Sequence, residues 1–463
     1  MLAELAAAVR RRAVSSEELV RRSLDRIERF DPAIAAVVLA CGDRAVDDAR
    51  RVDAAVVAGD DPGRLAGLPL LVKDNEDVEG LPTTYGSLLR ADAPPATRDH
   101  EVIGRLRAAG AVVVGKTNLP EFAFEGFTDN RLFGPTRNPW APAWTPGGSS
   151  GGSGAAIAAG LAAIATGTDG GGSIRIPAAF CGLAGLKPTN GLIGRDPVPS
   201  WIDLSTKGPM ATSVADVRVL FDVMRGPVHG DPTAVPSWEP RAGAWPERIV
   251  ATPRMCPYGP LPDGVAASWD RALATLADAT GLPVETIDPP FPTSIDDDWY
   301  TLVAIEERAW VGGDELDRRE PELTSYVRYA NELAKRTTAE AYIAARRRRF
   351  KMVKVLDELL GDDAILASPT MCVEGFAVDG SSPGSPGGAD VDATPIGAYN
   401  TGAANITGHP AISVPAGVSA NGVPFGLMLT GPRFRDDVVL AVAERWEAAE
   451  PWPLAAPGYE PFS

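Results

Sequence analysis

No run of about 18 apolar residues occurs in this sequence, so it offers no helix able to span a membrane. Histidine is scarce: only His100, His229 and His409 are present. The four cysteines, Cys41, Cys181, Cys256 and Cys372, are widely spaced and none lies in a CxxC pair. That argues against a zinc site and against a disulfide frame, and for reduced thiols in a cytoplasmic protein. Basic charge is short as well, with 44 Lys and Arg against 61 Asp and Glu, a net charge of −17. A duplex-binding protein needs a basic face. The single dense basic run, "ARRRRFKMVK" at 345–354, reads as the solvated face of a helix. Neither nucleic acid nor membrane is therefore expected as a partner. At the N-terminus, "MLAELAAAVRRRAVSSEELV" puts its basic residues after the apolar ones, the reverse of a secretory signal. There is no internal repeat.

What is present is an ordinary globular composition in 463 residues, 45% hydrophobic and 23% charged, enough to build a large core. Amphipathic helices are expected at 2–12 and 16–29. Ser15 and Glu18 form a capping box for the second, which should stop before Asp31-Pro32. "GLPLLVKDN" (67–75) reads as a strand ending in a polar loop, and "AVVVG" as another strand after a helix closed by Gly110. Further helical patterns fall at 213–225, 265–279, 297–311, 338–360 and 435–449. Strand candidates lie at 248–252, 364–369, 411–417 and 425–431. This alternation predicts an α/β fold, one large domain with a mixed, mainly parallel central sheet flanked by helices. Within it we expect an N-terminal helical segment (1–60), a core (65–220), a variable helical region (226–390) and a C-terminal core segment (391–463). The Gly-, Ser- and Pro-rich stretch 375–395 reads as a mobile loop.

Two motifs lack the context they need. "GAVVVGKT" (110–117) fits the phosphate-binding loop GxxxxGK[ST], but its four intervening residues are themselves strand-like and Pro120 follows too soon for a long helix. "GGSSGG" (147–152) fits the GxSxG nucleophile elbow through either Ser149 or Ser150. The preceding "PWAPAWTP" is too rich in proline to be the required strand. The available downstream histidine, His409 in "ITGHPAIS", reads as a loop residue.

A serine nucleophile needs a base, and with no convincing histidine a lysine must be considered. Lysine is a base only when neutral, and burial without an anion favours that form. Lys73 ends the apolar run "LPLLV"; Lys116 and Lys187 compete with it. "DGGGS" (169–173) adds consecutive glycines whose N–H groups can converge on a developing oxyanion. "TPGGSSGGSG" (145–154) has linker composition, yet it runs straight into the small apolar residues "AAIAAGLAAIA", which favours an ordered segment.

Taken in order, "GLPLLVKDN", "GKTNLPEF", "FGPTRNPW", "TPGGSSGGSGAA", "GTDGGGSIRIPAAFCGLAGLKPTNG" and "KGPMATSVADV" resemble the amidase signature family. A weaker likeness continues in "YNTGAANITGHPAISVPAG" and "GVPFGLMLTG". The resemblance implies a Ser–cis-Ser–Lys group made of the nucleophile Ser173, the bridging Ser149 and the base Lys73. It implies an oxyanion hole from the N–H groups of Gly170, Gly171, Gly172 and Ser173. Relatives commonly carry Thr or Ile where this sequence has Gly170. Phe124, Glu125 and Met428 fall at positions that suggest substrate binding. The implied activity is hydrolysis of a carbon–nitrogen bond in a small-molecule amide, with no metal and no organic cofactor; esters or carbamates are also within the class. A homodimer is one assembly open to it. Two alternatives stand beside this reading. One is a glutaminase like that of the tRNA-dependent amidotransferases, working with partner subunits. The other is an α/β-hydrolase-type esterase using Ser149 or Ser150 with His409.

Overall fold

The computed structural model describes residues 1–241, 245–378 and 397–463. The stretch 375–395 lies mostly outside them. Among the described residues eleven strands form: β1 (Val37–Ala40), β2 (Pro69–Lys73), β3 (Val112–Thr117), β4 (Ile164–Asp169), β5 (Ala184–Lys187), β6 (Thr206–Ala211), β7 (Arg248–Ala251), β8 (Val284–Thr286), β9 (Ala364–Pro369), β10 (Ala411–Val418) and β11 (Pro424–Thr430). They form one sheet in the order β1-β3-β2-β4-β6-β5-β10-β11-β9-β7-β8, with helices packed around it. The expected single α/β domain with a mixed sheet is what forms.

The balance of strand directions differs from the expectation. Parallel pairing occurs at β3-β2-β4 and β9-β7-β8, whereas the centre of the sheet, from β4 through β6, β5, β10 and β11 to β9, is antiparallel. The cause is local connectivity. β10 and β11 are joined by a short loop that permits a hairpin but no crossover.

Another correction concerns the second helix, which continues through Pro32 to Ile34. The proline forfeits one N–H, but Ile34 is buried and the Asp31 carboxylate accepts from the N–H groups of Ala36 and Val37 at the exit. Those gains outweigh one missing bond near a helix end. The Ser15–Glu18 capping box forms as expected. The basic run is only partly a solvated face: Arg347, Lys351 and Lys354 are exposed, while Arg346 pairs with Asp203, Arg348 with Asp298, and Arg349 donates to the Ile406 carbonyl.

β2 is buried along its whole length between β3 and β4, which explains its unbroken apolar run. Its C-terminal end, with that of the parallel neighbour β4, opens a crevice of the kind where α/β sheets place their sites. The small-residue helix Gly151–Ala158 packs beside it, completely buried. Glycine is required at 152, where a Cβ would stand 2.5 Å from the Asn118 backbone nitrogen.

Candidate active site

Lys73, the last residue of β2, is fully buried. Its Nζ donates to Ser149 Oγ at 2.7 Å and to Thr168 Oγ1 at 2.9 Å. Burial pushes its pKa down to about 7, against an opposing pull from the negative charges of Glu76 and Asp169. A substantial fraction of Lys73 is thus neutral near pH 7. Asn75 Nδ2 also donates to Thr168 Oγ1, at 3.1 Å, so Thr168 ties the lysine to the loop after β2.

Ser149 follows a cis peptide bond from Gly148, as the resemblance implies. Ser150 is differently engaged: its Oγ lies 3.3 Å from both the carbonyl oxygen and the N–H nitrogen of Thr168, and its own N–H donates to the Ser173 carbonyl at 3.1 Å. Ser150 therefore joins the two loops and its hydroxyl is held in structure.

Ser173 ends the Gly-rich turn after β4. Asp169 organises that turn, accepting from the N–H groups of Gly172 (2.8 Å) and Ile174 (3.1 Å) and from Arg175 through both oxygens. Asn405 Nδ2 adds a bond at 2.8 Å. Burial alone would raise the Asp169 pKa, but Arg175 and Asn405 hold it at about 2. Because the Gly172 N–H is committed to Asp169, it is not free for an oxyanion, which corrects the four-donor expectation. The N–H groups of Gly170, Gly171 and Ser173 have no backbone or side-chain acceptor among the described residues. The carbonyls of Gly170 and Gly171 are held by Trp299 Nε1 (2.8 Å) and Thr401 Oγ1 (2.6 Å), which fixes the peptide planes that carry the N–H groups of Gly171 and Gly172.

Two cavities meet at Ser173, with about 750 and 640 Å³ of empty space including their mouths. The first is the more polar of the two, bordered by Ser149, Asn75, Lys207, Arg195 and Glu307, although Tyr85, Phe122, Trp201 and Trp310 line it as well. The second is aromatic, bordered by Phe124, Trp201, Trp299 and Tyr300 together with Glu125. Its rings interlock edge to face, with centroids 5.4 Å apart for Phe124–Trp201, 5.3 Å for Trp201–Trp299 and 5.0 Å for Trp299–Tyr300. Of the three residues expected to bind substrate, Phe124 and Glu125 border this cavity. Met428 does not: it lies inside β11, its sulfur accepts from Arg175 Nη1 at 3.5 Å, and it borders neither cavity. A buried sheet position behind the Asp169–Arg175 pair cannot reach the crevice.

The competing residues are engaged elsewhere. Lys116 lies within β3, and its Nζ bonds the Glu76 carbonyl (2.8 Å) and pairs with Asp74 (3.0 Å), so "GAVVVGKT" is a strand and no phosphate cradle. Lys187 donates to the Pro188 carbonyl and Asn190. His409 lies, as expected, in the loop between the helix Gly402–Thr407 and β10, and it is fully buried there. Its Nε2 lies 3.2 Å from Asp357 without hydrogen-bond alignment, and it borders neither cavity. Sequence reasoning misses Thr168, Asp169, Arg175, Asn405 and the two tryptophans. Only Thr168 and Asp169 carry a signal, being on the strand that feeds the glycine turn.

Gly170 has a physical reason. A Cβ there would stand 2.4 Å from Trp201 Cε3, so the indole fills the space that a larger residue would take. Gly170→Thr is expected to displace Trp201 and lower kcat/KM at least about 10-fold on an amide with an aromatic acyl group, the scale of one misfitted pocket contact. Ser173 should still react with a fluorophosphonate. Unchanged kinetics would mean that Trp201 moves aside freely.

Comparison with known proteins gives a consistent picture. A family model described as Amidase matches residues 18–440. An acylamidase of Rhodococcus erythropolis is 34% identical over 97% of this chain and 95% of its own. One component of a glutamyl-tRNA(Gln) amidotransferase from Acidothermus cellulolyticus is 34% identical over 96% of this chain and 93% of its own. The crystal structure of a bacterial aryl acylamidase of the amidase signature family superposes with a TM-score of 0.88 at 28% identity, covering 97% of this chain and 96% of that one.

Proposed function

This chain belongs to the amidase (amidase signature) family of hydrolases acting on amide carbon–nitrogen bonds, and from that premise we propose that it cleaves a small-molecule amide through an acyl-enzyme on Ser173. Neutral Lys73 takes the Ser149 hydroxyl proton across the 2.7 Å contact as Ser149 takes that of Ser173. Ser173 Oγ bonds to the carbonyl carbon, and the oxygen becomes an oxyanion facing the N–H groups of Gly171 and Ser173. As the carbon–nitrogen bond breaks, Lys73 returns its proton through Ser149 to the leaving nitrogen. Water then attacks the ester by the same relay, releasing the acid and restoring Ser173.

The observation that carries this reading is the buried Lys73–Ser149 contact, with the lysine pKa near 7, beside a serine where two cavities meet. The aromatic cavity supports an acyl group with an aromatic or extended apolar part. The test is to incubate the purified chain alone with amides, esters and carbamates and to measure liberated amine. Aryl-acyl amides should release amine without any partner protein. Silence on all amides, with ammonia formed from glutamine only when partner subunits are added, would replace this reading with the amidotransferase one.

A further inference from the structure

Glu307, on the helix Asp296–Val311, borders the polar cavity at only 4% exposure, and the acyl-transfer chemistry leaves it unused. Neither carboxyl oxygen is met by a well-aligned hydrogen bond, and the polar groups that stand close to it are Ser200 and the Trp201 indole. Burial pushes its pKa up to about 8, with Ser200 and the Trp201 indole softening the shift. Trp201 Nε1, beside Glu307 but not aligned on it, and Asn75 Oδ1 belong to residues on the same cavity and also lack a well-aligned partner among the described residues. Buried polar groups without aligned partners are costly, so their gathering around one cavity points to a ligand that completes them. The cations there are already engaged: Lys207 lies 3.3 Å from Glu76, and Arg195 lies 3.1 Å from Asp231. Among the described residues, Glu307 is the acid of this cavity without a counter-ion.

Which half of the substrate meets Glu307 follows from the proton path. Ser149 borders the polar cavity and not the aromatic one. A proton delivered by Ser149 must reach the leaving nitrogen, so the amine occupies the polar cavity and the acyl substituent the aromatic one. We propose that Glu307 is a specificity-determining residue for the leaving amine, accepting a hydrogen bond from an N–H donor on the amine's substituent. A terminal carboxamide and a terminal ammonium share this chemistry. A carboxamide also brings an oxygen that can accept from Trp201 Nε1–H. The proposal rests on the amidase reading above and on its Ser149 relay.

The experiment compares three benzoyl amides whose amines match in length and end in an isopropyl group, a carboxamide or an ammonium. The wild-type protein should favour one or both N–H-bearing amines by at least about 10-fold in kcat/KM, the discrimination expected when a buried polar group goes unpaired. Glu307→Leu should bring the ratios near one. Glu307→Gln, close in shape, should keep a carboxamide preference and lose an ammonium preference, which separates the two sources. The free amines give a second readout that needs no turnover: calorimetry on Ser173→Ala should show the same preference, lost when Glu307→Leu is added. Equal rates and equal affinities across the three amines, no binding of any amine, or a preference that survives Glu307→Leu overturns the proposal. Failure of a fluorophosphonate to label Ser173 would instead overturn the acyl-enzyme mechanism beneath it.

Discussion

Ser173→Ala is expected to remove turnover by about 10⁶-fold, some 8 kcal/mol of barrier, and to abolish covalent labelling by a fluorophosphonate. The expectation comes from position. Ser173 borders both cavities, with the Lys73–Ser149 contact on one side and the unpaired N–H groups of the glycine turn on the other. Ser149→Ala should be milder, about 10²–10⁴-fold, because it interrupts proton transfer but leaves the nucleophile and the oxyanion donors in place. It should still label slowly. Ser150→Ala is a useful contrast: its hydroxyl is bonded to the Thr168 backbone, so its loss should loosen the turn and lower stability more than it changes chemistry. The measurement is burst kinetics and mass mapping of the labelled peptide. Labelling of Ser149 or Ser150 in the Ser173→Ala protein would sink the assignment and revive the nucleophile-elbow reading.

The segments that meet at Ser173 are legible in the sequence because each is local. "LPLLVKDN", "GGSSGG" and "DGGGS" carry their geometry in neighbouring residues: an apolar strand ending in a lysine, and glycines that let backbones approach closely. The rest of the pocket is not legible, because it comes from far along the chain. Trp299 and Glu307 lie on one helix more than a hundred residues after the glycine turn, and they reach it only through tertiary packing. Asn405 likewise arrives from the C-terminal segment. Some strands are hidden for a different reason. β6 contains Pro209 and Gly208, residues that count against an interior strand, yet it is held between β4 and β5. The helix Ser325–Arg336 begins "SYVRY", a stretch with weak helix propensity, and is stabilised by burial of Tyr326, Val327 and Ala330. Asp31-Pro32 misleads in the opposite direction, since a proline near a helix end forfeits little.

Lys73→Ala is expected to lower kcat by about 10⁴-fold or more, leaving what oxyanion stabilisation and binding supply alone. The acid limb of the pH–rate profile should identify the same residue. Burial brings the Lys73 pKa to about 7, so activity should rise as pH climbs through 7 and level off above it, the neutral amine being the working form. Lys187 provides a control, since burial also lowers its pKa to about 7, yet it borders neither cavity. Lys187→Met should leave the acid limb in place. His409→Ala should cost stability, through a cavity in the core, without moving the limb. Stability carries a second signature of Lys73. A lysine at about 7 folded and ~10.4 unfolded binds fewer protons in the folded state between those values, so its penalty falls as pH rises through that window. Below it the penalty is on the order of 5 kcal/mol, at about 1.4 kcal/mol per pKa unit. Lys73→Met should therefore raise Tm near pH 6, offset in part by the hydroxyls of Ser149 and Thr168 that lose their partner, and the gain should shrink by pH 9. Such a protein would be more stable and inactive, as expected where a buried base is kept for chemistry. A profile flat from pH 5 to 9, with Lys73→Ala retaining most activity, would show that the base lies elsewhere.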